Sequence, residues 1–351
     1  SARRRAPAER AMAEGIDTAA PHATPGKPAR TGLSSKPWWP WTRRALWAVF
    51  FVLVGTLLFS QARDIEWNKV VAAVRELPAW SLALAAALAA VSHALYSTFD
   101  LLGKWWTGHA LPVRTVVPVT FVSYAFNLNL GSLVGGFAFR YRLYSRLGLD
   151  NNTITRVLGM SLVTNWLGYL VLAGLVFAIG AVTPPPDWRI GAMALRALGV
   201  ALVAVAAAYV LMCAFAKRRS YAVRGHEFEL PPLRVALLQL AMSCVNWAVI
   251  AGVIFVLLQQ QVPYPTVLGV LLIAAVAGVL THIPAGLGVL EAVFIALLAG
   301  DDIARSQILG ALLAYRFLYY LAPLVIATVV FLIIEARARK LRAASTGQGA
   351  P

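Results

Sequence analysis

Two glycine-broken segments, each leading to charged residues, interrupt the apolar runs of this sequence. The first reads Asn127–Leu128–Asn129–Leu130–Gly131–Ser132–Leu133–Val134–Gly135–Gly136 and leads into Arg140–Tyr141–Arg142. The second reads Thr281–His282–Ile283–Pro284–Ala285–Gly286–Leu287–Gly288–Val289–Leu290–Glu291. Glycine lets the backbone turn sharply and lets a ligand approach closely. A helix that restarts after such a turn aims unpaired N–H groups at the break, and those groups attract an anion such as a phosphate. Arg316 lies well inside the last apolar run, in Ala314–Tyr315–Arg316–Phe317. A charge there is expensive and needs a partner. Glu291 is the first choice and Asp100, near the end of the second run, is the alternative. In the functional reading Arg316 holds a lipid phosphate, while Glu291 meets a cationic headgroup or a proton. In the competing reading the two form a structural ion pair that sets helix register. Arg140 and Arg142 have their own bland reading, as anchors that snorkel towards the membrane surface.

The remaining polar residues of the apolar runs point to packing. Asn127, Asn129, Asn165 and Asn246 are read as interhelical glue, with Asn127 and Asn129 set apart by their place beside the first break. His93 and His282 are single histidines, read as hydrogen-bonded packing residues. His282 keeps an outside role as a proton carrier. No His and carboxylate cluster suggests a metal, and no cofactor is expected. Cys213 and Cys244 are too few for a disulfide framework and fall in apolar segments. A Gly-x-Ser-x-Gly elbow, a His/Asp metal set and a histidine-rich phosphatase pattern are all missing from the sequence, so an enzyme is not expected.

The elements that must position these residues follow from composition. Of 351 residues 60% are hydrophobic and 13% charged, against about a quarter charged in a soluble protein. The mean hydropathy is +0.70. That excludes an ordinary soluble enzyme, a disordered chain and a disulfide scaffold, and it leaves a bundle of transmembrane helices. Residues 1–40 read as a disordered basic tail. The cluster Trp38–Trp39–Pro40–Trp41 reads as a headgroup-level anchor. The first run, Ala45–Ser60, reads as an uncleaved span. Further long runs fall at 79–102, 115–134, 155–181, 190–216, 234–258, 265–283 and 306–334. A short run, Val289–Ala299, is suspect as a full span.

Shifting the chain on itself by 151 residues lays Val157–Leu158–Gly159 on Ile308–Leu309–Gly310, Tyr169–Leu170 on Tyr320–Leu321, Gly135 on Gly286, and Pro112 on Pro263. The shared register predicts a duplicated half. The same shift carries Arg140 onto Glu291, so one break presents a cation and the other an anion. That pairing suits a zwitterionic or mixed-charge headgroup. The formal net charge of +16 is concentrated in the tail (+6 to Arg44) and in Lys104–Arg114 (+2), Arg140–Arg156 (+3), Lys217–Arg234 (+3) and Glu335–Arg342 (+3). By contrast Arg63–Glu76 sums to zero and Asp301–Arg305 to −1. If runs three and seven enter and turn back at their glycines, every strongly basic segment lies in the cytoplasm, as the positive-inside rule requires. The predicted fold is an all-α polytopic membrane protein. It has two inverted repeats, about 44–182 and 190–334, with six full spans, two re-entrant hairpins and both termini in the cytoplasm. The domains expected are the tail 1–40, a transmembrane region 41–335 and a basic tail 336–351.

At these motifs the chain resembles the transmembrane region of lysylphosphatidylglycerol synthases, a flippase-like membrane family. The likeness covers about Ala45–Arg342. It rests on Asn127–Leu128–Asn129, on Gly135–Gly136 with Arg140–Tyr141–Arg142–Leu143, on Pro284–Ala285–Gly286–Leu287–Gly288–Val289–Leu290–Glu291, and on Tyr315–Arg316. The resemblance implies a bacterial inner-membrane protein that moves phospholipid, aminoacylated or anionic, between leaflets. It implies that the glycine breaks, Arg140, Glu291 and Arg316 line the lipid path. Leu133 stands where the family often has proline, Ala285 replaces a glycine, and no acidic residue follows Gly136. In this sequence 16 residues follow Glu335, too few for the synthase domain of two-part members, so synthesis is not expected. The partners expected are phospholipid and the bilayer, not nucleic acid, with homo-oligomerisation open. A small-solute secondary carrier and an intramembrane lipid-modifying enzyme are the alternatives.

Overall fold

A bilayer offers the backbone no hydrogen bonds, so a spanning chain must satisfy its own, and helices do that. The computed structural model describes residues 67–131, 136–184, 191–216, 220–223, 226–281, 283, 286–300 and 303–347. The N-terminal tail, the Trp38–Trp41 anchor and the first run, Ala45–Ser60, lie outside the described residues. The helices in chain order are α1 (Trp67–Arg75), α2 (Ala79–Ser97), α3 (Phe99–Thr107), α4 (Val113–Leu130), α5 (Phe139–Arg146), α6 (Asn151–Ala178) and α7 (Ala192–Phe215). They continue with α8 (Leu233–Leu257), α9 (Tyr264–Thr281), α10 (Val289–Leu298), α11 (Arg305–Tyr315), a π-helical segment Arg316–Leu321, and α12 (Ala322–Gly347).

Among the described residues, six helices are long and apolar enough to cross a membrane. These are Ala79–Thr107 (α2 with α3), α6, α7, α8, α9 and Arg305–Ala336. The set differs from the predicted one. Run one is not described, and run seven, read from sequence as half of a hairpin, is the 18-residue apolar helix α9. Its counterpart α4 has the same length but carries Arg114, Thr120, Ser123, Asn127 and Asn129. A second difference falls in the loop 217–234. There Ser220–Val223 pairs antiparallel with His226–Glu229 in a two-stranded hairpin, with Tyr221 opposite Phe228. An element of two short strands has no helical or strand-length apolar signal to announce it.

Helix starts follow local chemistry. Pro78, Pro112 and Pro232 stand in extended backbone immediately before α2, α4 and α8, where a missing N–H costs nothing. Asp150 caps α6 through its side chain, which accepts from Asn152 N and Thr153 N at 3.0 Å each.

Within an apolar core the bundle also buries a set of polar side chains, and it exposes large apolar ones, as lipid rather than water allows. Ser81, Ser92, His93, Asp100, Thr120, Gln239, Ser243 and Asn246 are buried, while Met193, Val200, Phe215, Val325 and Leu332 are exposed. Interhelical hydrogen bonds follow. Ser81 Oγ donates to Val256 O at 2.8 Å, Tyr169 OH to Leu272 O at 3.0 Å, and Gln239 Nε2 to Thr164 Oγ1 at 3.0 Å. Between α6 and α7 the backbones approach so closely that a Cβ on Gly199 would stand 2.5 Å from Ala178 N and 2.7 Å from Gly174 O. The same packing scheme occurs twice. Helix α4 packs on α5 and on α12, and α9 packs on α10 and on α6.

Candidate functional site

The second break begins where α9 ends at Thr281. His282, Pro284 and Ala285 lie outside the described residues. Gly286 has φ +56° and Gly288, the residue before α10, has φ +78°. Both values are left-handed backbone that favours glycine. The two glycines reverse the chain, so that α10 packs back against α9. Glu291 therefore falls in the first turn of α10, where the helix dipole favours an anion. Arg316 approaches from the start of the π-helical segment. Its Nε donates to Glu291 Oε1 at 2.5 Å, one Nη to Glu291 Oε2 at 3.0 Å, and the same nitrogen to Gly286 O at 2.9 Å. The guanidinium also lies 5.3 Å from the centre of the Tyr320 ring. This is a bidentate fork on a carboxylate, and it is not sealed: the side chains are 11% and 16% exposed. Beside it, Leu313, Phe317 and Leu321, spaced four residues apart, are all exposed, as is Leu287 in the break itself. The expected Arg316–Glu291 pair is therefore present.

The first break begins at Gly131, whose φ is +84° and whose N–H donates to Asn127 O at 2.9 Å. Ser132–Gly135, and with them the predicted site residue Gly135, lie outside the described residues. A π turn at 136–138 then leads into α5. A Cβ on Gly136 would stand 2.9 Å from Asn127 Oδ1, so Gly136 admits the Asn127 side chain. Asn129 Nδ2 donates to Ala125 O at 2.8 Å and to Tyr320 O at 3.2 Å, which ties α4 to the π-helical segment.

Arg140 does not snorkel. It is buried, with Nε 3.1 Å from Asp100 Oδ2 and an Nη 3.4 Å from Ser161 Oγ. Tyr144 OH donates to the same carboxylate oxygen at 2.8 Å. Asp100, weighed from sequence only as a partner for Arg316, is the partner of Arg140. Its signal was its place as the carboxylate of run two, but the matching cation lies 40 residues on, beyond a break. The two breaks are thus not joined by an Arg140–Glu291 contact, since each residue has its own counter-ion. Arg142 pairs with Glu335 at 3.2 Å and lies over the Phe331 ring, while Arg146 also pairs with Glu335. These contacts fasten α5 to α12.

A buried chain of tyrosines runs between the two ion pairs, and sequence reasoning missed it. The Arg140 guanidinium lies 5.9 Å from the Tyr96 ring. Tyr96 stacks on Tyr124 with centroids 3.6 Å apart. The Tyr124 and Tyr319 hydroxyls lie 2.8 Å apart, and Tyr319 OH lies 2.7 Å from Ser92 Oγ. Ser92 donates to Asn246 Oδ1 at 2.8 Å. Tyr319 stacks on Tyr315, which meets Tyr320 beneath Arg316. Asn246 and Asn129 act as the interhelical glue expected, and His93 packs against Phe121, Tyr124 and Tyr319 with Nδ1 3.0 Å from Ala89 O. Among the described residues no group of His, Cys and carboxylates could hold a metal. A hollow of about 380 Å³ lies at the C-terminal end of α10, lined by Ile295, Ala299, Ile303 and Arg305, rather than at the break.

Lipid-facing helices around buried ion pairs define a polytopic membrane protein with a charged interior. The chain belongs to the lysylphosphatidylglycerol synthase TM region family, whose model matches residues 45–327. It is 47% identical over 309 residues to the inner membrane protein YbhN of Escherichia coli (strain K12), covering 88% of this chain and 97% of that protein. It is 30% identical over 283 residues to the uncharacterized protein slr0712 of Synechocystis, covering 80% of this chain and 87% of that one. Against the phosphatidylglycerol lysyltransferase of Staphylococcus haemolyticus it is 23% identical over 293 residues, covering 81% of this chain and 33% of that enzyme. The chain is a multi-pass protein of the inner membrane.

Proposed function

We propose that this protein moves phospholipid between the leaflets of the inner membrane, and that the Arg316–Glu291 pair receives the headgroup. One observation carries the reading: a bidentate but incompletely sealed ion pair lies at a helix break, and exposed apolar residues adjoin it along the chain, Leu287 after Gly286 and Phe317 after Arg316, with Leu313 and Leu321 on the same helical stretch. A phospholipid needs that juxtaposition, with a polar seat for the headgroup and an apolar exit for the acyl chains. Its phosphate replaces the Glu291 carboxylate on the Arg316 fork, and a cationic headgroup finds the released Glu291.

In this reading α4 with α5, and α9 with α10, are the two re-entrant hairpins of an inverted repeat. The repeated packing scheme, with each hairpin lying on the last span of the other half, supports it. Both termini and the basic loops face the cytoplasm. Arg140, Arg142, Asn127, Asn129, Gly136, Gly286 and Gly288, together with Gly135 and Pro284, belong to the same lipid path. The bilayer and its phospholipid are the partners.

Reconstitution in vesicles with fluorescent anionic, zwitterionic and aminoacyl phospholipids tests the proposal. Leaflet exchange should exceed that of empty vesicles for at least one class. Arg316→Ala and Arg316→Lys should both abolish it, because lysine cannot supply the fork. Glu291→Gln should change the headgroup preference. Exchange no faster than in empty vesicles for every class would refute the reading.

A further inference from the structure

Arg316 forks onto Glu291 from a rare kind of backbone. Arg316–Leu321 is π-helical, and the Ala322 N–H donates to Phe317 O, five residues back. Such turns recur at functional sites. This one is tied on three sides. Arg316 ties it to the second break through Glu291 and Gly286 O. Tyr319 OH lies 2.7 Å from Ser92 Oγ of α2 and 2.8 Å from Tyr124 OH of α4. The third tie is Asn129 of α4, whose Nδ2 donates to Tyr320 O at 3.2 Å. Tyr320 is also the residue whose ring lies 5.3 Å from the Arg316 guanidinium. The backbone position of Tyr320 therefore bears directly on where the fork points.

The Asn129 amide is fixed for this task. It faces two carbonyl oxygens, Ala125 O at 2.8 Å and Tyr320 O at 3.2 Å. Both can only accept, so the amide nitrogen, not the amide oxygen, stands between them. Each of its two hydrogens has one carbonyl. The bond to Ala125 lies within α4, one turn back, and holds the side chain in the rotamer that aims the other N–H at the π-helical turn. With both hydrogens placed, the amide has none left for a phosphate, so Asn129 holds the path rather than meeting the headgroup. It stands two residues before Gly131, where α4 ends with φ +84°. Gly131 N–H donates to Asn127 O, and Asn127 Oδ1 fills the space that a Cβ on Gly136 would need. The first break is thus folded onto Asn127, while Asn129 carries a bond outward to the segment that holds Arg316.

We propose that Asn129 is a positioning residue for Arg316. Through Tyr320 O, the first break holds the π-helical turn at the depth and rotation from which Arg316 forks onto Glu291. The two breaks then act as one unit. A shift of the α4 end at Gly131 draws on Tyr320, and the fork at the second break loses its alignment. The inference deepens the transport reading, and it rests on that reading only for its consequence in lipid exchange. The placement of Arg316 is measured apart from any transport.

Asn129→Ser is the informative variant. A serine hydroxyl bonds the carbonyl one turn back, so it keeps a bond to Ala125 O and has no second hydrogen for Tyr320 O. The full chain, carrying nitrogen-isotope-labelled arginine in phosphatidylethanolamine–phosphatidylglycerol vesicles, is read by magnetic resonance at arginine Nε. The Arg316 signal is the one lost in Arg316→Lys, and the Arg140 signal the one lost in Arg140→Lys. In Asn129→Ser the Arg316 signal should move or broaden while that of Arg140 stays in place. Asn129→Leu should do the same, and it decides the matter if the serine variant does not insert. Lipid exchange should slow about two- to tenfold in either variant, the worth of one such hydrogen bond, short of the loss expected for Arg316→Ala. An Arg316 signal unmoved in both variants overturns the positioning role, whatever exchange does. An Arg140 signal that moves as well also overturns it, because the whole bundle has then loosened. Unslowed exchange with a displaced Arg316 overturns the coupling of the breaks and leaves the transport reading in place. If no lipid exchanges even in the unaltered protein, the transport reading fails and the Arg316 signal alone decides the role of Asn129.

Discussion

At the scale of single residues, the burial of the Arg140–Asp100 pair makes it costly to disturb by halves. Both side chains are nearly or fully removed from the surface, so removing one partner leaves an uncompensated charge. Arg140→Leu alone should lower stability by about 3–5 kcal/mol, read as earlier thermal unfolding in detergent. Arg140→Leu combined with Asp100→Asn should recover most of that loss, because the unpaired charge is gone. A double mutant as unstable as the single would show that Arg140 is held by something other than Asp100. The Arg316–Glu291 pair differs in kind. It is partly open and lies at left-handed glycines, so its variants are expected to register in lipid exchange rather than mainly in stability. The sequence named Arg316 and Glu291 as a pair because a charge inside an apolar run restricts the choice of partner. It could not name Asp100 for Arg140, since Arg140 sits close enough to a basic loop to have reached the surface instead.

At the scale of elements, two features control how the helices meet. Gly199 and Gly174 bring α6 and α7 into backbone contact. Gly199→Leu should cost at least about 1–3 kcal/mol of overpacking, and proteolysis of the variant in the α6–α7 connection should accelerate. The Asp150 cap holds the start of α6. Its side-chain bond with Thr153 and the backbone bonds behind it hold the carboxylate pKa below its ordinary value. A depressed carboxylate pKa stabilises above the unfolded value and loses that contribution as pH falls through the lower folded value. Protection of the Asn152 and Thr153 amides, taken relative to their intrinsic exchange at each pH, should therefore persist down to the ordinary carboxylate range and fall only below it. In Asp150→Ala that protection should be low at every pH. A cap lost already near neutral pH would contradict this. The positions of α4 and α9 could be read from sequence because proline and glycine bound them. The β-hairpin at 220–229 could not, because eight residues of mixed polarity carry no period long enough to recognise.

At the scale of the whole molecule, the arrangement predicts which loops face which side. Cysteine placed at Asn151 or Arg224 should be labelled from the cytoplasmic face, and cysteine at Arg305 from the opposite face, in intact cells against inverted vesicles. Asn151 and Arg224 labelled from outside would mean that α4 crosses completely and that the hairpin reading of the first break is wrong. The two ion pairs also belong to one molecule-wide unit. Arg140 touches Tyr96, Tyr96 stacks on Tyr124, and Tyr124 meets Tyr319, which stacks on Tyr315 beside Arg316.

Composition by itself determined that this chain lives in a membrane, where its apolar runs begin and end, and which breaks and charges interrupt them. Those features are local: a bilayer penalises every unsatisfied backbone group and every lone charge wherever it stands in the chain. Tertiary structure decided who meets whom. It gave Arg140 to Asp100 and Glu291 to Arg316, left Arg142 at Glu335, and joined tyrosines from α2, α4, α11 and the π-helical segment into one buried path. Each of these choices depends on the rotation and depth of one helix against another. Side-chain volume and hydrogen-bond direction set those quantities across the whole bundle, and no stretch of sequence contains them.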